Sequence, residues 1–301
     1  MFSGFVLQLS SREEQTKIVK SFIPMKKDIQ KNSGSDTSIH ISVSSTEQCS
    51  TSKEKAHWLS RRLSLAYAAS LEASATEYIL VYTKDGLQLV RYNRKKGSIQ
   101  RLLHVDFLAG KNRYRRKNDL SIHQPLAKAA GMKPGFRPTI LDATAGLGKD
   151  GFLFASLGCQ LTLCERNPIL FALLEDGLLR AQNDPCTRDI VERIRLIQED
   201  SILLTKQKPA LYDTVYLDPM YPQRTSSALN KQELRVIRQI VGDDRDVADL
   251  FAAGKQLARH RVVVKRPRLA PPLTEEKISY QIQMTSCRYD IYLIPLQRTV
   301  D

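Results

Sequence analysis

The segment Val215-Tyr-Leu-Asp218-Pro219-Met220-Tyr221-Pro222 places a carboxylate, a proline-stiffened turn and an aromatic ring directly after an apolar run. That combination suits an exocyclic amine. Asp218 and the Pro219 carbonyl can accept hydrogen bonds from the amino hydrogens. This turns the nitrogen lone pair toward an electrophile and stabilises the positive charge that develops on it. Tyr221 can stack on the base that carries the amine and fix its plane. No strong base is needed, because the alkylated nitrogen becomes acidic and sheds its proton readily. The plainer alternative is a proline-rich turn after a buried strand.

A second constellation lies upstream, where Thr139–Ala143 leads into Asp142-Ala-Thr-Ala-Gly146-Leu-Gly148-Lys149-Asp150-Gly151. Glycines after a strand let the backbone approach a ligand, and a following helix N-terminus adds unsatisfied N–H groups. Gly146, Gly148 and Gly151 complete the GxGxxG spacing of dinucleotide sites, so a nicotinamide enzyme is one reading. Asp142, four residues ahead of Gly146, stands where an acid can face the cationic amino-acid end of S-adenosylmethionine (SAM). Glu165, 19 residues after Gly146, can accept both ribose hydroxyls of either cofactor. Asp200 can accept a hydrogen bond from an adenine amino group. Helix capping or surface pairing is the bland alternative for each of these acids. A hydride-transfer enzyme has no evident use for Asp218-Pro-Met-Tyr221, and that favours SAM.

These residues need a scaffold that brings them together. Candidate strands at 139–143, 160–165, 194–199, 214–218 and 261–265 alternate with helical stretches near 150–157, 168–182, 228–241 and 246–259. Such alternation predicts an α/β fold, a mostly parallel Rossmann-like sheet wrapped by helices. Two further strands, at 280–285 and 289–295, are linked too briefly for a crossover and must form a C-terminal antiparallel hairpin. Ahead of this core, residues 36–104 read as a small α+β domain. It has a strand at 39–43, a helix over 53–71, and a hairpin of Tyr78–Tyr82 and Leu87–Arg91 with Asp85-Gly86 in the turn. Residues 1–35 read as a loosely structured extension, and Met25 offers an alternative start.

The 301-residue chain carries 46 Lys+Arg against 32 Asp+Glu, a formal net charge of +14. Half of that excess, +7, falls within residues 111–137, whereas residues 138–260 carry −2. A polyanion, nucleic acid foremost, is the partner such a charge implies. Residues 105–137 therefore read as a basic RNA-contacting segment, with Lys111, Arg113, Arg115, Arg116 and Lys117 on phosphates and Tyr114 stacking on a base. A solvated linker is the alternative. Lys231, Arg235 and Arg238 share one helix face after the catalytic loop, and Lys265 and Arg266 end the fifth core strand; both groups are candidate RNA contacts. No apolar run approaches the roughly 18–20 residues needed to cross a bilayer. The first residues make a poor signal peptide. Cys49, Cys159, Cys164, Cys186 and Cys287 are scattered, as expected of reduced thiols in a cytoplasmic protein. The five histidines form no ligand-like spacing, so no metal is expected.

Asp218-Pro-Met-Tyr221 resembles the Asp/Asn-Pro-Pro-Tyr/Phe element of class I SAM-dependent amino-methyltransferases. Five longer blocks resemble the bacterial RsmJ family: Asp142-Ala-Thr-Ala-Gly-Leu-Gly148, Glu165-Arg-Asn-Pro168, Tyr216-Leu-Asp-Pro-Met220, Ser227-Ala-Leu229 and Val262-Val-Val-Lys-Arg-Pro267. Similarity runs from about Val105 to Pro295, and more faintly back to about Ile39. The resemblance implies a class I methyltransferase domain over residues 138–301. It also implies methylation of guanine N2 near the 3′ end of 16S ribosomal RNA, with that RNA or the small ribosomal subunit as partner. SAM contacts are implied at Lys149, Asp150, Glu165, Arg166, Asp200, Ser201 and Asp218. Three positions depart from the family: Lys149 replaces the usual arginine, Asp200 an expected serine, and Tyr221 the commoner phenylalanine. The tetrapeptide recognises an amino group, not a particular base. An adenine-N6 or other amino-methyltransferase, an NAD-dependent oxidoreductase and a catalytically silent RNA-binding protein therefore stay open on the residues alone.

Overall fold

The computed structural model describes residues 5–8 (backbone only), 40–47, 49–108, 121–206, 212–219 and 246–295. They divide into two compact units. Described residues 40–47 and 49–105 form the smaller, and the rest form the larger. Strand β1 (Phe5–Gln8) belongs to the larger unit.

In the smaller unit, β2 (Ile41–Ser45) is followed by α1 (Ser50–Leu63), then β3 (Ala66–Tyr67), β4 (Tyr78–Thr83), β5 (Gly86–Asn93) and β6 (Ser98–His104). They form one sheet in the order β3-β2-β4-β5-β6. β4 runs parallel to β2, with α1 in the connection, while β4, β5 and β6 form an antiparallel meander. The sequence predicted one long helix over 53–71, but α1 stops at Leu63. Ser64 turns left-handed at φ 54°, and the Leu65 amide reaches back to the Ser60 carbonyl at 2.9 Å. That closure satisfies carbonyls at the helix end. It sends Ala66 and Tyr67 into β3, beside β2.

The larger unit contains α2 (Pro125–Ala129), β7 (Ile140–Asp142), α3 (Lys149–Ser156), β8 (Leu161–Cys164), α4 (Pro168–Gln182), α5 (Arg188–Val191) and β9 (Ile194–Gln198). A 3-10 turn (Ser201–Lys206) precedes β10 (Tyr212–Leu217), α6 (Val247–Leu257), β11 (Ala258–Pro267), β12 (Tyr280–Gln283) and β13 (Cys287–Leu293). The eight strands lie in the order β1-β9-β8-β7-β10-β11-β13-β12. The run from β9 to β11 is wholly parallel, and β13 inserts antiparallel between β11 and β12. The structure has the expected mostly parallel sheet and terminal hairpin, and the helix predicted over 168–182 is present to the residue. Asn167 caps that helix by accepting from the Ile169 and Leu170 amides, and Pro168 supplies its first position. The helix expected near 228–241 lies outside the described residues. One correction falls at the start of the chain. Phe5–Gln8, read as part of a loose extension, pairs antiparallel with β9.

Strand alternation sorts the side chains onto two faces. Val215, Leu217, Val262 and Val264 pack with Leu250, Phe251 and Leu257 of α6. Burying each such side chain contributes about 1.5–3 kcal/mol. Tyr216 points to the other face, where its ring meets Phe154 of α3 edge-on, and Lys265 reaches Asp150 of α3 on that same face. Arg266, one residue on, is turned away and fully buried, with Nε and Nη2 donating to the Pro271 carbonyl at 3.2 and 2.6 Å. Arg288 lies on that opposite side too. It is paired with buried Asp290 and donates from Nη1 to the carbonyls of Pro267, Arg268 and Ala270. Two buried guanidiniums thus pin the turn that follows β11.

Candidate active site

Strand order reverses at β7: β8 lies on one side of it and β10 on the other. In parallel α/β sheets, ligands bind in the crevice at the carboxyl ends of the strands beside such a switch point. Asp142 ends β7, Glu165 follows β8, Asp200 follows β9 and Asp218 follows β10. The topology therefore gathers the four acids read from the sequence along one edge.

The loop between β7 and α3 is built for close approach. Gly146 and Gly148 take left-handed φ values of 55° and 69°, which side chains resist. Gly151 lets α3 lie against the sheet, since a Cβ there would sit 2.4 Å from Leu163 Cδ2. Glu165 braces the loop: one oxygen accepts from the Gly146 amide and the other from the Asn167 amide, each at 2.7 Å. Asp142 is buried and accepts from the Thr144 amide at 3.2 Å. Lys149 is exposed at the start of α3. Arg166 reaches from the turn after β8 to Asp246 at 2.5 Å and to Asp200 at 3.6 Å. Asp200 also accepts from the Ile202 amide at 3.0 Å, and Ser201 beside it is buried.

At the next strand end, the Asp218 amide donates to Thr144 Oγ1 at 2.7 Å, which ties the Asp218-Pro219 turn to the glycine loop. Pro219 is buried. Lys265 Nζ donates to Asp218 Oδ2 at 2.9 Å and to Asp150 Oδ2 at 2.6 Å, and the Tyr216 hydroxyl also donates to Asp150 Oδ2 at 2.6 Å. Asp218 keeps 41% of its side chain open to solvent. Burial of the rest pushes its pKa up, Lys265 pulls it down, and Asp150 adds to the rise. Burial also raises the Tyr216 phenol well above its usual value, with Asp150 and Asp218 adding to it.

The structure thus brings together Asp142, Gly146, Gly148, Asp150, Glu165 and Asp218 around the β7 and β10 ends, with Arg166, Asp200 and Ser201 at the neighbouring β9 end. Lys265 and Arg266, expected side by side on RNA, lie on opposite faces, as adjacent strand residues must. Arg266 is interior, and Lys265 sits among carboxylates. Tyr221, Lys111, Arg113, Tyr114, Arg115, Arg116, Lys117, Lys231, Arg235 and Arg238 lie outside the described residues. Sequence reasoning missed Thr144, Tyr216 and Asp246. Tyr216 was within reach of it, because a residue two before Asp218 on a strand shares its face. Asp246 was not, since it is 80 residues from Arg166.

Residues 56–294 match the family model described as "Putative SAM-dependent methyltransferase". The chain belongs to this family. It is 49% identical over 214 residues to Ribosomal RNA small subunit methyltransferase J of Desulfotalea psychrophila, covering 71% of this chain and 82% of that protein. It is 46% identical over 240 residues to the protein of the same name from Pseudomonas aeruginosa, covering 79% of this chain and 90% of that one. The solved structure of a SAM-dependent methyltransferase from Neisseria gonorrhoeae matches with a TM-score of 0.62 at 32% identity, covering 84% of this chain and 95% of that one. The fold is therefore that of a class I methyltransferase, SAM is the cofactor, and a nicotinamide reading of the glycine loop is not favoured.

The chain's own residues fit SAM. Asp142 is a buried carboxylate with a backbone amide as its one hydrogen-bond partner and no ion pair among the described residues, which suits the ammonium of an amino acid. Among the described residues no cluster suitable for a metal occurs.

Burial raises the Asp142 pKa well above the ordinary carboxylate value; the Thr144 amide opposes this, and Asp150, Asp218 and Glu165 reinforce it. A carboxyl raised in this way costs stability when ionised. The cost is complete above the folded pKa and vanishes as pH falls below the unfolded value of about 4. Asp142→Asn should therefore be more thermostable than the parent at pH 7, with a margin that shrinks toward pH 4, while SAM affinity by calorimetry drops about tenfold or more. Unchanged SAM affinity would remove Asp142 from the cofactor site.

Proposed function

We propose that the protein transfers a methyl group from SAM to the exocyclic N2 amine of a guanosine near the 3′ end of small-subunit (16S) ribosomal RNA. The observation that carries this reading is Asp218, held at the end of β10 by Thr144, beside the glycine loop. Relatives named as small-subunit ribosomal RNA methyltransferases support the choice of RNA, and the resemblance of the sequence blocks to the RsmJ family supports the choice of base. When bound, SAM supplies an electrophilic methyl on a sulfonium, which leaves a neutral thioether. The protein does the rest by placement. Asp218 and the Pro219 carbonyl accept the two N2 hydrogens and direct the lone pair outward. The positive charge that develops on nitrogen meets a carboxylate fixed in advance, so little reorganisation is needed. Tyr221 would hold the base plane by stacking. The extra proton on the methylated nitrogen leaves to solvent.

The basic segment supplies the grip on RNA in this reading. Lys111, Arg113, Arg115, Arg116 and Lys117 would neutralise phosphates and Tyr114 would stack, with Lys231 and Arg235 adding contacts. The domain plan follows: a small α+β domain at 36–104, the RNA-contacting segment at 105–137 and the methyltransferase domain at 138–301. A reducing cytoplasm, where ribosomes are made, suits five cysteines that are all unbridged. Among the described residues, no helix is long and apolar enough to cross a membrane.

Asp218→Ala is expected to keep SAM affinity within a few-fold by calorimetry but to lose methyl transfer to small-subunit RNA by about a hundredfold or more. Turnover near the parent level would show that the amine is held elsewhere. Replacing Arg115, Arg116 and Lys117 together by Ala should reduce the slope of log affinity against log salt by about 2–3, at about 0.7–0.9 per lost phosphate contact. An unaltered slope would return that segment to a plain linker.

A further inference from the structure

Lys265 lies on the site's face of β11, and its ammonium is already engaged. It sits between Asp150 Oδ2 at 2.6 Å and Asp218 Oδ2 at 2.9 Å, with only 26% of the side chain exposed. Asp150 is anchored from a second side by the Tyr216 hydroxyl, and the Tyr216 ring is wedged edge-on against Phe154. The chain Tyr216–Asp150–Lys265–Asp218 therefore ties α3, β10 and β11 to one oxygen of the amine-binding carboxylate. Among the described residues, Asp218 Oδ1 has no hydrogen-bond donor from the protein. A phosphate seeking Lys265 would have to displace two carboxylates that already hold it.

We propose that Lys265, seated on Asp150, is a positioning residue for the methyl transfer: it occupies one oxygen of Asp218, fixes the carboxylate's rotation and leaves the other oxygen to accept the substrate amine. This deepens the proposed function and rests on it. The charge balance explains why a lysine is needed. Asp218 is faced by Asp150 from α3, Asp142 from β7, Tyr216 from its own strand, and Tyr289 and Cys287 from β13. Among the described residues facing Asp218, Lys265 is the cation. Burial alone would lower the Lys265 pKa, yet Asp218 and Asp150 raise it well above lysine's usual value, so it stays charged throughout the working range. A protonated Asp218 would keep one oxygen as a donor and lose that half of its accepting capacity. Pre-set geometry of this kind acts on the transition state more than on substrate binding.

The test is Lys265→Met beside Lys265→Arg, with both variants first checked for parent-like circular dichroism. Lys265→Met should lower kcat by about a hundredfold, with KM for small-subunit RNA and SAM affinity changed by less than about threefold. Its acid limb in kcat should move to higher pH, because a carboxylate loses the cation that favours its charged form. Lys265→Arg keeps the charge, though with a different fork, and should recover kcat to within about tenfold of the parent. A raised KM for RNA with unchanged kcat would overturn the proposal and make Lys265 an RNA contact; parent-like kinetics would overturn it too. A second readout needs no turnover. Carbon NMR titration of the Asp218 carboxyl in the SAM-free protein should show a higher pKa in Lys265→Met than in the parent. An identical titration refutes the coupling even if ribosomal RNA proves not to be the substrate, whereas inactivity of the parent on that RNA refutes only the functional reading.

Discussion

The structure depends on a concentration of carboxylates at the carboxyl edge of one sheet. Asp142, Glu165 and Asp218 are delivered there by strand order, and Asp150 by the first turn of α3. Like charges gathered at a half-buried edge repel, and each is costly to dehydrate. Each acid has its own local remedy. Glu165 is spread over two backbone amides, Asp142 is held by one amide and carries the largest share of burial, and Asp150 and Asp218 share Lys265. On the proposed reading the tasks differ in the same way. A carboxylate that receives a cationic cofactor group has to remain unmatched by a protein cation, whereas one that receives a neutral amine benefits from a fixed ammonium behind it.

The packing serves this edge. The face of the sheet that meets α6 is aliphatic and holds the strands in register. The other face is shared between α3, the aromatic rings of Phe154, Tyr216 and Tyr289, and the polar groups of the site. Gly151 brings α3 close enough for Asp150 to reach Lys265, so one missing side chain underlies both the packing of the glycine loop and the lysine bridge. On the aliphatic side, the buried Arg288–Asp290 pair and Arg266 fix the turn after β11, and with it the strand end that carries Lys265.

Much of this was legible in the sequence because the signals were local. Alternating apolar runs gave the parallel strands. The helix over 168–182 is read from its place between two strands, and Asp142, Glu165, Asp200 and Asp218 from their places at strand ends, whereas Asp150 comes only with the family resemblance. What was not legible depended on pairing or on backbone choice. Phe5–Gln8 is too short to carry a pattern, and only β9 beside it makes it a strand. The end of α1 rests on a left-handed serine that no glycine announces. Lys265 and Arg266 look equivalent as neighbours in a basic pair, yet the two-residue period of a strand sends one to the carboxylates and the other into the interior. Charge counting shows where cations are in excess but cannot say which of them, like Lys265, are held by acids.

On the proposed reading this chain methylates a guanine amine in small-subunit ribosomal RNA through Asp218. The most direct measurement is mass spectrometric mapping of methylated guanosines in that RNA from cells with the gene, without it, and complemented by the parent or by Asp218→Ala. One N2-methylguanosine near the 3′ end is expected to disappear with the gene, to return with the parent and not to return with the variant. Persistence of every N2-methylguanosine at parent stoichiometry in the deletion would contradict it.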